Sequence, residues 1–252
     1  MIPLRDDQPR TTFAYVTYSL IAVNIGAFAY EISLRFANVQ SWRDFLLRYG
    51  AVPHHFQLAF SGSPVYSISG AFLTLLSSMF LHGSVLHIVG NMWVLWIFGD
   101  NIEDHLGHLV YLVFYLLCGL LAGMAHIYAN PDLDVPAVGA SGAIAGIMGA
   151  YLLRYPQARV QMLVIFSLLT NLVWIPAWGM LGFWFFFQFI GVLLAELRHT
   201  HLHQPASSGV AYWAHVGGFI IGMILIKIIP GRAEYSHGGW LNKEGKEILP
   251  KQ

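Results

Sequence analysis

Apolar runs of bilayer length organise this chain and limit what it can fold into. A transmembrane helix needs ~20 apolar residues, and aromatic flanks mark its ends. Six candidate spans are read at about 12–32, 85–99, 108–128, 141–153, 178–197 and 210–229. The first carries Asn24 in its middle, and the fourth is short and rich in glycine and alanine. Two further apolar stretches fit less well. Residues 72–81 lead into the second span, and residues 160–174, followed by Pro176, are read as interfacial or re-entrant. The expected class is therefore all-α: a polytopic membrane protein with a bundle of six transmembrane helices. Its parts would be an N-terminal cytoplasmic segment (1–11), a transmembrane domain (12–229) and a cytoplasmic tail (230–252).

Composition agrees. The 252 residues are 56% hydrophobic and 10% charged, against about 25% charged in an ordinary soluble domain. The formal net charge is zero, so nucleic acid is not an expected partner. The single cysteine, Cys118, has no partner for an internal disulfide. The stretch from Met1 to Thr12 is polar with mixed charge, unlike a cleavable signal peptide, so the first apolar run is expected to stay as a helix.

The basic residues orient the bundle. With six spans and a cytoplasmic N-terminus, nine fall inside: Arg5, Arg10, Arg154, Arg159, Lys227, Arg232, Lys243, Lys246 and Lys251. Four fall outside: Arg35, Arg43, Arg48 and Arg198. This bias places both termini in the cytoplasm, and the cell (plasma) membrane is the expected location. The connection 33–70 is long for a bundle loop and carries Trp42, Phe45, Tyr49, Phe56 and Phe60. Loops of that length are functional or structured; this one could lie in the membrane interface or form a lid of packed aromatics.

Ionisable and strongly polar side chains are costly within spans and point to function. Three groups stand out: His82, His87 and Asn91; Ser141; and His215. Ser141 opens its span, where a helix leaves N–H groups unpaired at the positive end of its dipole. A serine there can cap the helix, or carry an alkoxide or oxyanion that those groups stabilise. His215 can be a structural histidine bonded across helices, or a neutral imidazole that accepts a serine proton. Gly142 and Gly146, and likewise Gly218 and Gly222, are spaced i,i+4. Small faces of this kind let two membrane helices approach closely, which would bring Ser141 and His215 together. His87 and Asn91 share a helix face and, with the Ser141 backbone N–H, could donate to an oxyanion. No acidic residue lies beside His215 or in its span, so a two-residue dyad is expected rather than a triad.

These residues resemble a known family. The stretch His82-Gly83-Ser84-Val85-Leu86-His87-Ile88-Val89-Gly90-Asn91 resembles the HGxxxHxxxN signature of rhomboid intramembrane proteases. Gly139-Ala140-Ser141-Gly142 is similar to their GxSG motif, and Ala214-His215-Val216-Gly217-Gly218 to their AHxGG motif. Phe98-Gly99-Asp100-Asn101-Ile102-Glu103-Asp104 also resembles the family's end of the second span. The likeness runs from about Leu75 to Gly222, in the expected order, and suggests the bacterial or archaeal type. It implies a six-helix core, no cofactor and no metal. It also implies hydrolysis of peptide bonds in or near the transmembrane segments of other membrane proteins, within the lipid bilayer. Ser141 would be the nucleophile and His215 the base; His87, Asn91 and the Ser141 N–H would form the oxyanion hole. Two departures stand out. Leu73-Thr74 occupies the place of a Trp-Arg pair found in many members. Ala145 replaces an aromatic that could stack on the histidine.

Other classes fit less well. A catalytically inactive relative that binds or escorts membrane proteins is the main alternative, yet both dyad residues are present. A transporter or proton channel using His82, His87 and His215 would be expected to show paired repeats, and none is seen. A metalloprotease would carry a His-Glu-x-x-His run, which is absent. His199, His201 and His203 could bind a metal but read more simply as a solvated loop. A soluble hydrolase elbow needs glycine at position 143, which is alanine.

Overall fold

In the computed structural model, residues 2–166, 169–202, 210–232, 234–236, 239–241 and 247–248 are described. The chain is mostly helical and runs in the order β1 (Ile2–Asp6), α1 (Tyr15–Ala37), α2 (Val39–Tyr49), α3 (Pro53–Phe60), α4 (Ile68–Ser78), α5 (Val85–Leu106), α6 (His108–Ala129), α7 (Ser141–Arg154), β2 (Arg159–Phe166), β3 (Leu169–Pro176), α8 (Ala177–Leu202) and α9 (Tyr212–Ile228). Three short strands, β4 (Glu234–Ser236), β5 (Gly239–Leu241) and β6 (Glu247–Ile248), form an antiparallel sheet in the tail.

Among the described residues, four helices are long and apolar enough to cross a bilayer: α1, α5, α6 and the part of α8 from Ala177 to Leu197. Helices α4 and α9 are apolar but shorter. Helix α7, with 14 residues, extends only ~21 Å at 1.5 Å per residue, short of the ~30 Å hydrocarbon core. Its surroundings explain why it can be short. Every residue from Gly142 to Tyr151 is buried, so α7 meets other helices instead of lipid.

The glycines set that packing. On α9, a Cβ at Gly218 would run into the backbone of Gly142, and one at Gly222 into that of Gly146. The i,i+4 faces therefore meet backbone to backbone, as their spacing predicts. On another side, a Cβ at Gly146 would lie 2.6 Å from Cys118 of α6. Phe98 of α5 packs edge-on against Tyr151 at 4.9 Å.

Helix α1 begins without a capping side chain of its own. Carboxylates at the end of α5 supply the acceptors. Glu103, fully buried, accepts from Val16 N at 2.9 Å, Thr17 N at 2.8 Å and the Thr17 hydroxyl at 2.7 Å. Asp104 accepts from Thr11 N at 2.8 Å and Thr12 N at 2.9 Å. Negative charge at a helix N-terminus is doubly favourable, through hydrogen bonds and the dipole.

Two stretches take definite form. The re-entrant alternative falls: residues 160–174, read as interfacial or re-entrant, form an antiparallel hairpin, β2–β3. Its inward side chains Val160 and Met162 are buried, while Ile165 and Leu172 are exposed. The N-terminal segment contributes β1, which completes a three-stranded sheet in the order β1-β2-β3. The connection 33–70 is built of helices α2 and α3 and runs into α4. Phe56 is buried there and packs edge-on against Phe72 at 6.1 Å.

Candidate active site

Ser141 is the first residue of α7, and Ala140 occupies the cap position. Ala140 supplies no side-chain cap, and the Ser141 hydroxyl lies 2.8 Å from His215 Nε2. The segment leading to it is fastened on several sides. Ala51 and Ala137 exchange backbone hydrogen bonds of 3.1 and 2.8 Å. His54 N donates to Leu133 O at 3.0 Å, and the His54 ring meets Asp134 at 2.7 Å. Gly139 N donates to Ser78 O at 2.9 Å. Gly139 itself has φ of +130°, a conformation that glycine reaches without strain.

The other side of Gly139 faces α5. A Cβ there would lie 2.8 Å from His87 Cε1 and Nε2 and 3.6 Å from Asn91 Nδ2. The glycine of the GxSG motif thus leaves room for both side chains two residues before Ser141. Ser84 caps α5 by accepting from His87 N at 3.2 Å, which places His87 in the first turn. Asn91 Nδ2 donates to His82 Nε2 at 2.9 Å, and the His82 and His87 rings meet edge-on at 5.1 Å. The structure therefore brings together all five polar residues singled out in the sequence.

Two contributors escaped the sequence reading. Glu31 of α1 is fully buried, and its carboxylate accepts from His82 N at 3.0 and 3.3 Å. The rule that flagged His87, an ionisable group within an apolar run, would have flagged it. Gln188 of α8 is the second. Its Oε1 accepts from His215 Nδ1 at 2.8 Å. One polar residue inside Phe183-Trp184-Phe185-Phe186-Phe187-Gln188-Phe189-Ile190 was a visible signal. Trp184, one turn earlier, lies 5.7 Å from the His215 ring at an interplanar angle of 38°. Ala145 is buried in α7 and offers no ring.

A cavity of about 40 Å³ adjoins the serine, lined by Ser141, Ser78, Gly139, His126, Ala211 and Ala214 among others. A water needs ~10–15 Å³ of such volume and a few polar partners, so water fits beside the hydroxyl. A nucleophile within hydrogen-bond reach of an imidazole, at the positive end of a helix, suits acyl transfer chemically. Among the described residues no group of three or more His, Cys, Asp or Glu side chains could hold a metal ion. Helix α8 continues through His199 and His201; their side chains, and His203, lie outside the described residues.

A family model described as Rhomboid domain matches residues 69–232. The chain is 32% identical over 95 residues to the Presenilin-associated rhomboid-like protein A, mitochondrial, of Danio rerio, covering 37% of this chain and 25% of that protein. The Homo sapiens Presenilin-associated rhomboid-like protein, mitochondrial, is 30% identical over 93 residues (36% and 24%). RHOMBOID-like protein 4 of Arabidopsis thaliana is 26% identical over 170 residues (67% and 36%). The chain thus spans a quarter to little more than a third of these relatives' length. They are eukaryotic, two of them mitochondrial by name, and lend no support to a bacterial or archaeal type or to the plasma membrane. The apolar, membrane-length helices α1, α5, α6 and α8 make this a multi-pass membrane protein.

Proposed function

The chain belongs to the rhomboid family, and on that premise we propose that it is an intramembrane serine endopeptidase. It would cleave peptide bonds in or near the transmembrane segments of other membrane proteins. The observation that carries this reading is the 2.8 Å approach of Ser141 Oγ to His215 Nε2 at the head of a buried helix. Six helices, α1, α5, α6, α7, α8 and α9, serve as the spans, and the bias of basic residues orients both termini to the cytoplasm. Residues 12–229 make up the membrane domain.

The chemistry follows from the atoms. Ser141 Oγ attacks the scissile carbonyl carbon while His215 Nε2 takes the hydroxyl proton. The oxyanion forms near the Ser141 N–H and the side chains of His87 and Asn91, where donors stabilise it more than the planar carbonyl. His215 then hands its proton to the leaving amine, and the C–N bond breaks. A water from the adjoining cavity repeats the sequence on the acyl-serine, giving a carboxylic acid and free Ser141.

The test is direct. The protein is reconstituted with a single-span fluorescent substrate, and wild type is compared with Ser141→Ala and His215→Ala. Cleavage should vanish in both variants and survive a chelator. Cleavage that persists in either variant, or stops with the chelator, overturns the proposal. Substrate capture by wild type without cleavage would instead favour an escort protein.

A further inference from the structure

We infer that Gln188 is the positioning residue for His215: by accepting the Nδ1 proton it fixes the tautomer that leaves Nε2 free to take the proton of Ser141. This rests on the reading of Ser141 and His215 as nucleophile and base.

A neutral imidazole carries one N–H, and the hydrogen bond at one nitrogen decides the state of the other. An amide oxygen only accepts. Gln188 Oε1 at 2.8 Å therefore places the proton on Nδ1, and the lone pair of Nε2 faces Ser141 Oγ at 2.8 Å. Among the described residues no carboxylate hydrogen-bonds this ring, so the place that an acid takes in a three-residue triad is taken by a neutral amide. The amide also serves in the next state. When the ring becomes an imidazolium, Nδ1–H still donates to Oε1, and the carbonyl dipole points its negative end at the new charge. A neutral acceptor makes a weaker bond than a carboxylate, so its contribution is modest.

The same helix supplies the second hold. Trp184 and Gln188 are i,i+4 and share a face of α8. One bonds the edge of the His215 ring, and the other lies 5.7 Å from it, centroid to centroid. Ala145 leaves the α7 side without a ring. The support missing there comes from α8 instead.

The experiment compares Gln188→Leu, which removes the acceptor at similar size, with Gln188→Glu, which keeps a carbonyl oxygen in place. In the reconstituted assay Gln188→Leu should lower kcat about tenfold, the worth of one hydrogen bond, with KM within about twofold. Gln188→Glu should recover to within about threefold of wild type. In the wild-type protein, 15N NMR of labelled histidine should show His215 protonated at Nδ1, with mixed tautomers in Gln188→Leu. Unchanged kcat in Gln188→Leu, an equal loss in Gln188→Glu, or a wild-type Nε2–H tautomer each overturns the inference. Failure of the underlying reading looks different: wild type then neither cleaves substrate nor reacts with a fluorophosphonate at Ser141.

Discussion

Ser141 and His215 meet at 2.8 Å, and His87 and Asn91 face Gly139 two residues before the serine. Their energetic weights differ, and Asn91 tests this. Its amide donates to His82 and also borders Gly139. If it serves the oxyanion, Asn91→Ala should lower kcat about 10²- to 10³-fold, the usual effect of losing one such donor, and leave KM nearly unchanged. Steady-state kinetics on a single-span substrate decide it; a rise in KM at constant kcat would make Asn91 a substrate contact. Ser141, His215, His87 and Asn91 are legible in the sequence because an ionisable or strongly polar side chain in an apolar run calls for a reason, and because their motifs come in order. Glu31 and Gln188 are harder to place. Each stood out as polar, but which partner it meets depends on how α1 and α8 are rotated against their neighbours. One sequence does not contain that rotation.

Elements show where a pattern sufficed and where it did not. The i,i+4 glycines of α7 and α9 predicted a close crossing, and the contact is backbone to backbone. Here the obstacle to a side chain is main chain, which has no rotamer to yield. Gly222→Ala should force α7 and α9 apart and destabilise the protein by about 1–3 kcal/mol, in the range of overpacked cores. Because the same crossing brings Ser141 and His215 within 2.8 Å, cleavage should fall with it. Gly26 of α1 is the control: nothing lies within 4 Å of a Cβ there. Gly26→Ala should match or slightly exceed wild-type stability, since alanine is the better helix former. Denaturant titration in detergent micelles reads both, and equal midpoints for the two variants would refute the packing argument. The hairpin β2–β3 was missed for a different reason. A short apolar run fits a buried strand as well as a helix. Its deciding neighbour, β1, lies more than 150 residues away, as in the pair Asp6↔Val160.

For the whole molecule, β1 is what ties the beginning of the chain to its middle. Asp7 N donates to Arg159 O at 3.0 Å, and Asp7 Oδ1 accepts from Arg159 N at 2.7 Å. Arg10 bonds Asp100 of α5 at 3.3 Å. The Asp6 carboxylate accepts from the Tyr151 hydroxyl, near the end of α7 away from Ser141. Burial raises the Asp6 carboxyl from 3.8 to about 7; the Tyr151 hydroxyl opposes the rise, and the charges of Asp100 and Asp7 add to it. The sign follows from linkage. An acid whose folded value lies above its unfolded one holds its proton more tightly when folded. Its stabilising contribution is whole below about pH 3.8 and is lost as pH rises through about 7. Wild-type stability should therefore decline over that interval, against whatever background the other groups supply. Asp6→Asn keeps an oxygen for Tyr151 but has no proton to lose, so the decline should flatten and the variant should be the more stable above about pH 7. Unfolding midpoints measured in detergent across this range check it. Parallel curves for the two proteins would mean that Asp6 does not couple protonation to the docking of β1.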